Sequence, residues 1–183
     1  MDNGTMSEED IMKELSADIN SLLDFNFKRE VILLVALHAE YLSKELILLN
    51  LGYTKNKKFN SHDNRIIKLK KESIIEDNEF RVLSSLSRVR DELAHNLYVN
   101  EEYLKREMDK IPLNWMLPNG QSIQHLDEEY SKYPFTRFCI GCLAKIFFLF
   151  QKIAYLKSQS KFSFTFQFKQ RAEDTFLIDL RPQ

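Results

Sequence analysis

The sequence predicts an all-α fold, a bundle of four main helices with a C-terminal β-hairpin. Three observations predict it. Long stretches repeat apolar residues at helical spacing. Glycine and proline are scarce, with four of each in 183 residues, too few for a turn-rich β architecture. The tail changes period, because "KFSFTFQFK" alternates Phe162, Phe164, Phe166 and Phe168 strictly with polar residues.

The first helix is expected over residues 7–24, where Ile11, Leu15, Ile19, Leu22 and Leu23 fall on one face. Ser7 followed by acidic residues is a good N-terminus, since the hydroxyl accepts a free amide and carboxylates suit the positive end of the helix. The second spans 28–52, is apolar around most of its circumference, and stops at Gly52. A third pattern runs from about Arg65 to Asn96, with a break expected near Asp77 and Asn78. Within it Val82, Leu86, Val89 and Leu93 form a core stripe. "EEYLKREMDK" predicts a short helix, and "IPLNWMLPNGQS" a loop by its prolines and Asn-Gly. The last main helix begins near Pro134, and Arg137, Lys145 and Lys152 interrupt it often enough to read as a buried amphipathic helix in place of a membrane span. Residues 161–181 then form the hairpin, with "TFLIDL" as the second strand. Its Phe face needs cover from the bundle or from another subunit.

A chain of this length with 44% apolar residues buries one core, so residues 1–183 are read as a single domain. The acidic N-terminus has no basic n-region or apolar h-region, and the expected compartment is the cytoplasm. A net charge of −1 argues against a general nucleic-acid coat. Yet residues 55–71 concentrate Lys55, Lys57, Lys58, Lys68, Lys70 and Lys71, with Arg65 among them. They either neutralise the acidic first helix, sit solvated, or make a local phosphate-attracting surface that would bind RNA. Cys139 and Cys142 in "CIGC" lack a second pair and a βαβ context, so neither a zinc site nor a thioredoxin-like motif is expected. They read as two buried thiols, with a redox sensor as the rival. No metal and no cofactor is called for, since the histidines lack ligand spacing and there is no Gly-rich phosphate loop.

The stretch "RVRDELAHN", residues 88–96, closes the third pattern. Counting from Val82 at about 100° per residue, the core stripe centres at about 10°, Arg90 falls at about 80°, Asp91 at about 180° and His95 at about 220°. His95 is therefore off the core face. Asp91, one turn before it, is placed to accept an imidazole N–H and orient the ring. Arg90 lies on the shoulder of the stripe, where its stem packs while the guanidinium emerges. Spacing alone leaves two readings open, a solvated ion pair at a helix end and a small catalytic set.

"RDELAH" in this helical context resembles the signature of HEPN domains (higher eukaryotes and prokaryotes nucleotide-binding), an arginine followed within two helical turns by a histidine, commonly with Asn, Asp or His directly after the arginine. The likeness covers helix order over roughly residues 28–157 and is sharp only at 88–96. It implies an all-helical domain, usually a homodimer in which two copies of the motif face each other across a cleft. Many members are metal-independent ribonucleases acting as toxins or in phage defence, which would add an antitoxin or a regulatory protein as partner. Others, including the mannitol operon repressor branch, are not established as nucleases.

Under the enzymatic expectation Arg90, Asp91 and His95 are catalytic. His95 moves a proton to or from RNA, Arg90 clamps phosphate oxygens, and Asp91 orients His95. Asn96 either donates to a phosphate or ends the helix. His38 reads as a satisfied interior residue, His62 as part of the basic loop and His125 as part of the long connection. The rival is a non-enzymatic scaffold or transcriptional regulator in which the same three residues stabilise an interface. No membrane partner is expected.

Overall fold

The computed structural model describes residues 6–52, 61–96, 98, 100–110, 133–157, 164–171 and 174–182. Among them run six helices, α1 (Glu8–Asp24), α2 (Lys28–Leu51), α3 (His62–Lys71), α4 (Asp77–His95), α5 (Glu101–Met108) and α6 (Pro134–Leu156), then the strands β1 (Phe164–Gln170) and β2 (Phe176–Pro182). The mostly helical fold and the terminal hairpin match the expectation. The "IPLNWMLPNGQS" loop and His125 lie outside the described residues.

Local signals set most of the helix ends. Ser7 Oγ accepts the Asp10 amide at 3.1 Å and starts α1. Gly52 ends α2 at φ +62°, a left-handed conformation that costs glycine little. The third pattern divides earlier than expected. Its first part starts at His62, and the chain turns over 72–76, where Ser73 takes φ 56° and the Ile74 amide reaches back to Leu69 at 2.9 Å. The Glu79 side chain then accepts the Glu76 amide at 2.7 Å at the start of α4.

Helix α6 lies at the centre, packed on α1, α2, α4 and α5, while α3 lies across α2 and α4. By length and composition α6 alone among the described helices could cross a membrane, but 67% of its most apolar window is buried inside the fold. Its Phe138, Phe147 and Phe150 are fully buried. Burial of each such ring stabilises the core by roughly 1.5–3 kcal/mol. Beyond its end Lys157 bonds the buried Glu8 at 2.6 Å and Glu45 at 2.8 Å, tying α1, α2 and α6 together.

The hairpin is antiparallel, with Phe168 opposite Ile178 and Phe166 opposite Leu180. The bundle covers the described part of its apolar face, where Phe166, Phe168, Phe176 and Ile178 are buried. Phe147 meets Phe166 edge-on at 4.6 Å, and Phe176 lies 6.4 Å from Phe135. Phe162 lies outside the described residues. The buried Phe166 and Phe168 therefore give no reason to invoke a second subunit. Polar stitches complete the attachment. Asn20 of α1 accepts the Ile178 amide at 2.8 Å and donates to its carbonyl at 2.9 Å, acting as a third strand would. Asp174 in the turn accepts the Thr136 amide at 2.8 Å in the first turn of α6, and pairs with Lys28 at 3.1 Å.

Candidate functional site

The motif occupies the last turns of α4, and the helical phase holds. Val82, Leu86, Val89 and Leu93 are buried, while His95 and Asp91 are exposed and Arg90 is half-buried. That phase is a property of α4 alone, since a helix that turns the Val82, Leu86, Val89 and Leu93 stripe inward carries His95, about 150° round from it, outward.

The partners are less predictable. Arg90 Nη1 pairs with the Glu40 carboxylate of α2. Its Nε and Nη2 both donate to Asp91 Oδ1, at 3.1 Å and 2.9 Å. Asp91 thus serves Arg90, and no hydrogen bond joins it to His95 among the described residues. The physical reason is the donor on offer, because a fixed guanidinium fork delivers two charge-assisted bonds to one oxygen where a neutral imidazole would deliver one. His95 makes no hydrogen bond or ion pair within the described residues. Asn96 caps α4, with Nδ2 donating to the Glu92 carbonyl at 3.1 Å and to Glu92 Oε1 at 2.7 Å, so of its two expected roles the helix-ending one is seen.

A second arginine stands close by. Arg29, in the first turn of α2, donates through Nε and Nη2 to the Leu93 carbonyl at 3.4 Å and 3.3 Å. A cation there suits the negative end of α4. Arg88, on the other side, pairs with the buried Glu107 of α5 at 2.9 Å.

Beneath Glu40 lies a buried polar cluster. Ser43 Oγ donates to the Glu40 carbonyl at 2.8 Å, lies 3.1 Å from His62 Nδ1 and accepts from Arg65 Nε at 3.2 Å. The Ser43 hydroxyl thus joins the Glu40 carbonyl, the His62 ring and the Arg65 guanidinium in one polar contact. The buried His62 Nε2 has no hydrogen-bond partner among the described residues. Burial, with Arg65 adding to it, lowers the His62 pKa to about 4, against opposing pulls from Asp63, the Leu83 backbone and Asp91. His62 is thus a neutral interior residue at the start of α3, and not a member of the basic loop. Asp63 accepts from Ser87 Oγ at 2.7 Å, which completes the attachment of α3 to α4.

Of the expected RNA-binding lysines, Lys55, Lys57 and Lys58 lie outside the described residues. Lys68 pairs with Glu72 and Lys70 with Asp77, each at 2.5 Å, and Lys71 is exposed. Among the described residues Lys68 and Lys70 are thus balanced by their sequence neighbours, while Glu8, Glu9 and Asp24 of α1 pair with Lys157, Lys13 and Arg171. His38 is satisfied as expected, with Nδ1 2.9 Å from the Leu34 carbonyl and its ring against Phe150. Cys139 and Cys142 are fully buried thiols, and burial pushes both pKa values well up, which makes them poor nucleophiles. No group of His, Cys, Asp and Glu among the described residues could hold a metal ion.

Sequence reasoning missed Glu40, Ser43, Arg29 and the burial of His62. The available signal was in α2, where Glu40 and Ser43 follow the apolar run from Val31 to Leu37. Comparison with known protein families, with characterised proteins and with solved structures finds no match for this chain.

Proposed function

We propose that this protein is a HEPN-type, metal-independent endoribonuclease, acting as a toxin or in phage defence, with a site completed by two copies of the chain. The observation that carries this reading is that an exposed His95, with no hydrogen bond or ion pair among the described residues, shares the closing turns of α4 with a half-buried Arg90, in a mostly helical fold. One His95 takes the proton of a ribose 2′-hydroxyl as its oxygen attacks the adjacent phosphorus. The second copy's imidazole protonates the departing 5′-oxygen, leaving a 2′,3′-cyclic phosphate. Arg90 holds the non-bridging oxygens, on which charge grows in the transition state. The exposed Leu37, one turn before Glu40, offers apolar surface beside this site for the second copy. The expected partners are RNA, a second copy of the chain and an antitoxin or other regulatory protein, in the cytoplasm.

The test is cleavage of RNA by the purified protein in EDTA, compared with His95→Ala, alongside light scattering at micromolar concentration. Cleavage by a dimer that His95→Ala abolishes supports the reading. Intact RNA, equal cleavage by the variant, or a monomer would overturn it.

One observation favours a second reading, a non-enzymatic scaffold or regulator resembling the mannitol operon repressor branch. Arg90 is already engaged by Glu40 and Asp91, as an arginine with a purely structural role would be. The same cleavage assay separates the two.

A further inference from the structure

We propose that Glu40 is an anion gate on the candidate site, a carboxylate that occupies the phosphate position on Arg90 and is displaced when RNA enters. The inference rests on the ribonuclease reading of Arg90 and names how that site is held closed.

The guanidinium presents its donors as a planar fork, and a phosphodiester would use one edge of it. Both approaches are taken. Nε and Nη2 share Asp91 Oδ1, and Nη1 faces Glu40. Two carboxylates on one cation leave the spot negative, so a phosphate arriving at this arrangement is repelled.

The two carboxylates are not equivalent. Asp91 follows Arg90 on the same helix, moves with it, and can keep its bonds while the guanidinium turns outward. Glu40 stands on α2, and its backbone carbonyl is held by Ser43, which is itself fastened to buried His62 and to Arg65 of α3. It cannot follow Arg90 to a ligand. Exchange is nonetheless open to a ligand, since the Arg90 and Glu40 side chains retain 28% and 31% exposure and solvent reaches the pair. Glu40 therefore acts through Arg90, as a positioning residue that sets how readily the site accepts phosphate.

The experiment measures binding of a 2′-O-methylated oligoribonucleotide, which has no free 2′-hydroxyl to attack, to wild type, Glu40→Gln, Arg90→Ala and the double variant. Glutamine keeps the shape and removes the charge. The expected result is a two- to fivefold gain in affinity for Glu40→Gln, with the log-affinity against log-salt slope steeper by roughly 0.7, the value of one added phosphate contact on a single strand. The gain must vanish in the Arg90→Ala background, where the gated cation is absent. With cleavable RNA the same variant should lower KM and leave kcat alone, because Arg90 holds the phosphate in both ground and transition states.

Unchanged or weakened binding by Glu40→Gln, while Arg90→Ala binds poorly, overturns the gate and leaves the site reading standing. An equal gain with and without Arg90 also overturns it, since the effect is then general surface charge. Wild-type affinity in Arg90→Ala overturns both. Should Glu40→Gln not fold, the wild type decides. The Arg90 Nη–H resonances, which include the donor that faces Glu40, must shift when the same oligonucleotide is added, and unmoved resonances with RNA bound overturn the gate.

Discussion

Ser43 Oγ lies 3.1 Å from His62 Nδ1, and both side chains are buried where α3 crosses α2 and α4. His62 is held neutral there, with its pKa lowered to about 4 by burial and by Arg65. In the unfolded chain its pKa returns to about 6.5. Between these values the unfolded state binds a proton that the folded state refuses, so this contribution to stability is complete above pH 6.5 and is lost as pH falls towards 4. The loss amounts to about 3 kcal/mol at most. Urea midpoints from pH 7 to pH 4 should fall more steeply for the wild type than for His62→Gln. Parallel curves would show that His62 protonates freely in the fold.

At the candidate site, Arg90→Ala and His95→Ala should each slow RNA cleavage by about 10² or more, the range for loss of a transition-state clamp or a general acid–base. Neither should move Tm appreciably, because neither side chain lies in the core stripe. Asp91→Asn should cost less, since asparagine still accepts from Arg90 and loses only the charge. RNA with a 2′-deoxy sugar at the scissile position should resist cleavage outright. Rates unchanged in the Arg90 and His95 variants, with folded protein by circular dichroism, would remove the catalytic roles.

The basic helix α3 is tested by salt. If Lys68, Lys70 and Lys71 guide RNA, replacing all three by glutamine should weaken binding and make the salt slope shallower by up to about 2. The pairs with Glu72 and Asp77 are exposed, so releasing them should leave the fold and oligomeric state unchanged. Unaltered RNA affinity at low salt would return these lysines to a solvated charge run.

Asn20→Ala removes both hydrogen bonds to Ile178 and leaves a backbone amide and carbonyl unmatched at the hairpin edge. The expected cost is about 2 kcal/mol. Amide hydrogen exchange is the sensitive readout, because Ile178 should lose protection before the α6 core does. Equal protection in both proteins would show that the apolar contacts of Phe166, Phe168 and Phe176 hold the hairpin without help.

The sequence by itself determined the helix ends at Ser7, Gly52 and Pro134, the inward stripe of α4, the outward phase of His95, and the change of period that makes the hairpin. Caps and periodicity act within one or two turns, so neighbouring residues suffice to specify them. Only the tertiary structure decided which group each charge meets. Arg90 finds Glu40 because α2 packs against α4, Arg29 reaches the end of α4 for the same reason, and His62 leaves the basic run because α3 is pressed onto both helices. An ion pair or a buried histidine depends on which faces come within a few ångströms, and the spacing of residues along one helix carries no information about the helix opposite.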